Sequence, residues 1–371
     1  MATISFPSGF LWGVSTSAYQ IEGAWRAHGK GASIWDRFTR RKGVIQDGTT
    51  GNVACDHYHH WEQDLDLIQG LGCGSYRFSV SWPRVLPEGR GTVNEAGLDF
   101  YDRLVDGLLS RGIDPLITLY HWDLPESLEA EGGWVPRKIV RDFENYAELL
   151  ARRLGDRVRS WVTINEPLSV VGAGYLAGAH APGRRNVIAA LRALHHLLLA
   201  HGHAVTRLKE ILPGARVGIA NAFSPVYPFR RKDVRAATRV SAALNRLCMD
   251  PILLGHYPRE LEPLIKLINR GIRPGDFEAM SVPFDFIGVN HYSRYIARRT
   301  FLPFIGFRLM KPVYENVIFT DLDWEVYPQG LYDILTWIRD EYHNPTIMVT
   351  ENGAAYQDQF NENLAEDADR V

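Results

Sequence analysis

An α/β barrel of the (β/α)8 type is predicted by three features of the 371-residue chain. Strand-like runs alternate with helix-like runs, the pattern of a parallel sheet. Two of the runs, Trp161-Val-Thr-Ile-Asn-Glu166-Pro167 and Thr346-Ile-Met-Val-Thr-Glu351-Asn352-Gly353, are β-branched stretches that stop on a glutamate beside a turn-forming residue. Acid groups at the carboxyl ends of separate strands are how such barrels assemble active sites. No low-complexity linker or short-period repeat breaks the alternation, so residues 1–371 are expected to form a single barrel domain. Pro167 lacks an N–H and pushes Glu166 toward extended backbone, which is expected to end that strand with the carboxylate at its lip. Gly353 is expected to let the other strand break sharply.

In chain order, the first strand is expected near Phe10-Leu-Trp-Gly-Val-Ser-Thr and the second at Tyr76-Arg-Phe-Ser-Val. Between them Trp61, Leu65, Ile68 and Leu71 recur at helical spacing, with Gly72 as the stop. Asn94 is placed to cap an amphipathic helix with the stripe Leu98, Tyr101, Leu104, Val105, Leu108 and Leu109. The third strand, Pro115-Leu-Ile-Thr-Leu-Tyr, runs into His121-Trp122. Pro136 opens the next helix, with Ile139, Val140, Phe143, Ala147, Leu150 and Leu154 on its apolar face. After the Glu166 strand, Asn186 caps a long helix reaching about Leu212, followed by a fifth strand, Val217-Gly-Ile-Ala. Residues 223–284 are proline-studded and read as a helix plus loops. The sixth strand is Phe286-Ile-Gly-Val-Asn-His-Tyr292, and Leu331, Ile334, Leu335 and Ile338 mark a helix before the seventh, the Glu351 run. Residues 354–371 are acidic and without a β-rich run, with Asn361 as a candidate helix cap. The chain therefore presents seven strands and no eighth.

Composition narrows the function classes. A formal charge of −2 gives no push toward nucleic acid or a membrane. Arg230-Arg231-Lys232, Arg298-Arg299 and Arg184-Arg185 are short and scattered, and read as solvated loop positions. No secretory leader and no bilayer-length apolar run is visible. Cys55, Cys73 and Cys248 are odd in number and widely spaced, which suits free thiols in a reducing cytoplasm. Cys55-Asp-His57-Tyr-His59-His60 has metal-binding residue types but no second Cys/His pair at zinc spacing, and no metal or other cofactor is expected. His195, His196, His201 and His203 lack the His-Glu-x-x-His arrangement and read as helix-surface or core groups.

The motifs Ser17-Ala-Tyr-Gln-Ile-Glu-Gly23, Tyr76-Arg-Phe-Ser-Val-Ser-Trp82, Leu119-Tyr-His-Trp-Asp-Leu-Pro125, Thr163-Ile-Asn-Glu-Pro167, Asn290-His-Tyr292, Asp323-Trp-Glu-Val-Tyr-Pro328 and Thr350-Glu-Asn-Gly353 occur in this order. Together they make the chain resemble the family 1 glycoside hydrolases, the retaining β-glucosidase family. The resemblance implies Glu166 as general acid/base and Glu351 as nucleophile. It implies Gln20, His121, Trp122 and Asn165 as contacts to the glycone hydroxyls, and Arg77 with Tyr292 as groups that contact and orient the nucleophile. Trp324 and Asn221 fall on the leaving-group side. The family continues into an eighth strand bearing a Glu-Trp motif, so the resemblance implies a barrel truncated before that strand.

A pair of carboxylates is the minimum equipment for cleaving a glycosidic bond, and retention requires them about 5–5.5 Å apart. Partial burial and the charge of Glu351 are both expected to favour the protonated form of Glu166. Other readings stand beside this one. Arg77 also reads as a structural ion pair, Tyr292 as core, and Trp324 as either rim or core. The expected substrate is a β-glucoside or short β-oligosaccharide; a 6-phospho-β-glycoside, galactoside or fucoside is the alternative within the class. The alternative outside it is a silent fragment that binds sugar or self-associates through open barrel edges.

Overall fold

The structure, a computed structural model, describes residues 5–300, 306–312, 316–357, 359–361 and 364–366. It divides into two compact units, one of residues 1–219 with 270–285 and one of residues 220–269 with 286–371. One sheet holds seven strands, labelled in chain order: β1 (Gly13–Ser15), β2 (Ser75–Ser79), β3 (Asp114–Tyr120), β4 (Ser160–Asn165), β5 (Arg216–Ala222), β6 (Phe286–Asn290) and β7 (Ile347–Glu351). Sheet order equals chain order. The pairs β1–β2, β2–β3, β3–β4 and β6–β7 are parallel, so each needs a crossover, and helices supply them.

In the first unit the crossovers are α1 (His57–Gly70), α2 (Glu95–Ser110), α3 (Ile139–Leu154) and α4 (Val187–Ile211). The apolar stripes predicted for α2 and α3 are buried, apart from Leu109. The strands beneath are buried along nearly their full length, as expected where helices cover a parallel sheet. Asn186 caps α4, its Oδ1 accepting from the Ala189 N–H at 2.9 Å. Asn94 occupies the N-cap position of α2, but its side chain instead donates to the carbonyls of Arg84 (2.8 Å) and His28 (2.9 Å). The amide thus pins two loops rather than the helix end. Gly202 lets α4 meet the short helix Asp276–Met280: an added Cβ would lie 1.8 Å from the Ala279 carbonyl oxygen.

The second unit contains the end of β5, β6, β7 and α5 (Gln329–Glu341). Most of its segment 223–269 is helical, in Val234–Ser241, Ala242–Arg246, Leu247–Leu253 and Glu262–Ile268. It also holds a small sheet that the alternation did not disclose, made of Val226–Pro228, Tyr295–Arg299 and Phe307–Met310. Arg298 and Arg299 therefore lie on a strand, not a loop, and in the first unit Arg184 donates to the buried Glu129 carboxylate at 2.8 Å. The reading of the basic doublets as solvated loops is corrected at these positions.

The tail departs from expectation as well. Gln359–Asn361 pairs antiparallel with Leu364–Glu366, so Asn361 lies in a short strand and caps no helix. Two three-residue runs separated by two residues satisfy their backbone groups locally, without the β-branched enrichment used to recognise strands. Among the described residues no eighth strand joins the seven-stranded sheet. Cys55 and Cys73 are free thiols, Cys248 is buried, and no helix of the described residues is long and apolar enough to cross a membrane.

The histidines of α4 generate a testable pH dependence. His201 is fully buried with its Nδ1 2.8 Å from the Thr163 hydroxyl, and burial pushes its pKa down to about 3. Burial likewise pushes His196 down to about 4. The unfolded chain takes up these protons first as pH falls through about 6.5, so this stability is present above that value and drains below it. Tm is expected to fall between pH 7 and pH 4.5, and His201→Gln is expected to narrow that fall. An identical drop in the variant would reject His201 as a source.

Candidate active site

In the first unit, β4 ends at Asn165 and the chain turns at Glu166 into a short helix, Pro167–Val171. Glu166 has φ 48° and ψ 67°, a left-handed conformation in place of the expected extended one. The proline ring disfavours the right-handed region, and a strand must pass to a helix within one residue; the left-handed region accommodates both. A non-glycine residue held there stores strain that surrounding packing must maintain. Glu166 is 7% exposed, and its Oε2 lies 2.7 Å from the Ser169 hydroxyl. Ser169 was not anticipated, although its spacing of three residues from Glu166 on a helix start was a usable signal.

Asn165 gathers the neighbouring predicted residues. Its Oδ1 accepts from Arg77 Nη2 at 2.7 Å, its Nδ2 donates to His121 Nε2 at 3.0 Å, and its carbonyl accepts from Trp122 Nε1 at 2.9 Å. Arg77 also donates to Thr118 Oγ1 at 2.9 Å and reaches Ser15 Oγ at 3.5 Å. Trp122 has φ 78°, another non-glycine residue in the left-handed region, where β3 turns away from the sheet. Gln20 lies exposed on the short helix Ala18–Ile21, its Oε1 accepting from Ser17 Oγ at 2.6 Å.

In the second unit, the Tyr292 hydroxyl donates to Glu351 Oε2 at 2.7 Å. The ring of Trp324, itself 40% exposed, lies 5.1 Å from that of Tyr292. Register between β6 and β7 shifts between Val349 and Glu351, a bulge that sets Glu351 opposite Asn290. Bulges re-aim side chains at strand ends, and nothing in the sequence announced this one. Gly353 does not adopt a left-handed φ, so the strand ends without using its freedom. Asn221 is buried and its amide donates to the Met249 sulfur.

The histidine-rich start of α1 has other partners. His57 Nδ1 lies 2.6 Å from Asp64 and His59 Nδ1 2.6 Å from Asp56.

The family model described as glycosyl hydrolase family 1 matches residues 2–371. The protein named "Beta-glucosidase A" of Acetivibrio thermocellus is 44% identical over 376 residues, covering 100% of this chain and 84% of that protein. "Beta-glucosidase A" of Thermotoga maritima is 42% identical over 360 residues, covering 96% of this chain and 80% of its own length. The solved structure of the Thermotoga maritima β-glucosidase in complex with azafagomine superposes with a TM-score of 0.93 at 40% identity, over 98% of this chain and 82% of that one. The likeness identifies the seven strands as those of a (β/α)8-type fold, as the strand–helix alternation predicts.

The hydrogen bonds of Arg77 can be tested directly. Arg77→Met removes the charged donor that serves Asn165 Oδ1 and Thr118 Oγ1, and is expected to lower the unfolding free energy by about 3 kcal/mol. Urea unfolding checks this; an unchanged midpoint would show that these bonds carry no stability.

Proposed function

Because the chain belongs to glycosyl hydrolase family 1, we propose that it is a retaining β-glucosidase acting through Glu351 and Glu166 within one barrel domain. The observation that carries the reading is the unlike setting of the two carboxyls. Glu351 is half-buried and accepts from the Tyr292 phenol, an arrangement that favours its ionised, nucleophilic form. Glu166 is buried beside a hydroxyl that can donate to a carboxylate or accept from a carboxylic acid. Ser169 can therefore serve Glu166 in both protonation states, as an acid that later becomes a base requires.

The reaction runs in two displacements. The Glu351 carboxylate attacks the anomeric carbon of a β-glucoside, and the bond to the leaving-group oxygen breaks as Glu166 gives that oxygen its proton. Water then attacks the anomeric carbon while Glu166 takes its proton, and the ester bond to Glu351 breaks to restore both groups. For this the carboxyls must stand about 5–5.5 Å apart, the spacing of retention. Asn165, whose amide donates to His121, presents its side chain to the sugar 2-hydroxyl. Gln20, His121 and Trp122 contact the glycone, Arg77 supports the nucleophile's charge, and Trp324 offers a flat platform to the leaving group.

The family match and the names of the relatives favour this reading over that of a silent fragment. The free thiols of Cys55 and Cys73 agree with a cytoplasmic enzyme. β1 and β7, the end strands of the sheet order, are where copies would associate.

The experiment is replacement of each carboxyl, assayed with aryl β-glucosides beside the galactoside and the 6-phosphoglucoside. Glu351→Gly is expected to lose hydrolysis and to regain turnover with azide, yielding the inverted glycosyl azide. Glu166→Ala is expected to lose mainly substrates with poor leaving groups. Unchanged hydrolysis in either variant rejects the assignment.

A further inference from the structure

The segment that carries Gln20 and the turn that carries His121 and Trp122 share a buried polar cluster that the two displacements do not use. Glu22, two residues beyond Gln20, is 4% exposed. Its Oε2 accepts from Arg84 Nε at 2.8 Å and its Oε1 from the Tyr101 hydroxyl at 2.6 Å. Tyr101, fully buried on α2, also accepts from the Ser81 backbone N–H at 2.7 Å. The Ser81 side chain lies beside Asp123, the residue after Trp122, and the charge of Lys30, itself paired with Asp36 at 3.5 Å, acts on the same carboxyl. Asp123 is 1% exposed, and neither carboxyl oxygen has a fully formed hydrogen bond. Hydrogen bonds thus join Glu22, Tyr101 and Ser81, with Gln20 two residues before one end and the Asp123 carboxyl beside the Ser81 side chain at the other.

Glu22, Lys30, Asp36 and Ser81 also line a cavity of about 10 Å³. That is room for about one water and far too little for a sugar. Any influence of this cluster on a substrate must therefore pass through the position of its neighbours.

We propose that Asp123 is a positioning residue for the glycone: buried beside Ser81, whose backbone N–H holds Tyr101 and through it Glu22, it seats the Trp122 turn against the Gln20 segment. This rests on the reading of Gln20, His121 and Trp122 as sugar contacts. Burial, the largest cause, pushes the Asp123 carboxyl up to about 8; Ser81 and Lys30 oppose the rise and the charge of Glu22 adds to it. Tyr120 and Tyr146 are the further titratable groups that feel its charge. The proton therefore stays on Asp123 near neutrality and leaves as pH rises through about 8. A negative charge on the buried Asp123 carboxyl is then opposed by that of Glu22, and the repulsion acts on the turn whose neighbouring residue Trp122 is already held in the left-handed region.

The test compares the unsubstituted protein with Asp123→Asn, which keeps the shape without the ionisation, and Asp123→Ala. KM and kcat for an aryl β-glucoside, Kd for a neutral thioglucoside, and Tm are followed from pH 6 to 9. Asp123→Ala is expected to raise KM and Kd about tenfold at pH 6.5 with kcat changed less than about threefold. Asp123→Asn is expected to hold both near the unsubstituted values and to abolish their rise above pH 8. A fall in Tm with unchanged KM and Kd in Asp123→Ala would reduce Asp123 to a filler, and persistence of the alkaline rise in Asp123→Asn would also overturn the proposal. If Asp123→Ala does not fold, the pH dependence of Kd in Asp123→Asn decides. Thioglucoside binding that follows these expectations in a protein without turnover would reject the hydrolase reading and leave this one standing.

Discussion

One guanidinium ties four strands together. Arg77, on β2, reaches Ser15 on β1, Thr118 on β3 and Asn165 on β4, and is 3% exposed. A buried cation is tolerated only where its donors are satisfied, and here the acceptors come from both flanking strands and the strand beyond. The side-chain register of all four strands at their carboxyl ends must hold for that to occur. The same bond fixes Asn165, which positions His121 and Trp122 from β3 and precedes the turn to Glu166. Stability of the sheet end and geometry of the first unit's candidate residues therefore depend on one interaction.

The second unit has its own version of this economy. The β-bulge at Glu351 would cost a ladder bond and gain nothing in a purely structural strand. The residue it re-aims, Glu351, accepts the Tyr292 hydrogen bond, and the Tyr292 ring lies 5.1 Å from that of Trp324. At the end of β4, Glu166 occupies a conformation that glycine or asparagine would adopt at lower cost. Local rules are thus broken at both glutamates and obeyed over most of the strands that carry them, as expected of sites that pay stability for chemistry.

Much of this was legible in the sequence, for identifiable reasons. The seven strands are short runs rich in Val, Ile, Leu and Phe bounded by turn residues, and α2 and α3 have apolar stripes at helical spacing. The strand ends singled out the two glutamates, and the family resemblance then implied Asn165, His121, Trp122 and Tyr292. What escaped depended on tertiary context. The small sheet of Val226–Pro228, Tyr295–Arg299 and Phe307–Met310 mixes proline, arginine and apolar residues without clean alternation. Asn94 has a capping side chain, yet the carbonyls of His28 and Arg84 compete for it. The left-handed turn at Glu166 follows from a helix starting immediately at Pro167, which the proline rule alone does not reveal. Ser169 and the bulge at Glu351 gain meaning only when the carboxyls beside them are seen in place.

The account's central claim is that Glu351 forms a covalent bond to the sugar. Incubation with an activated 2-deoxy-2-fluoro-β-glucoside, followed by intact mass and peptide mapping, tests it most directly. The predicted result is a gain of one fluoroglucosyl group, located on the peptide containing Glu351, with activity lost in parallel. A label on any other residue, or no label on a protein that turns over the unfluorinated glucoside, would contradict it.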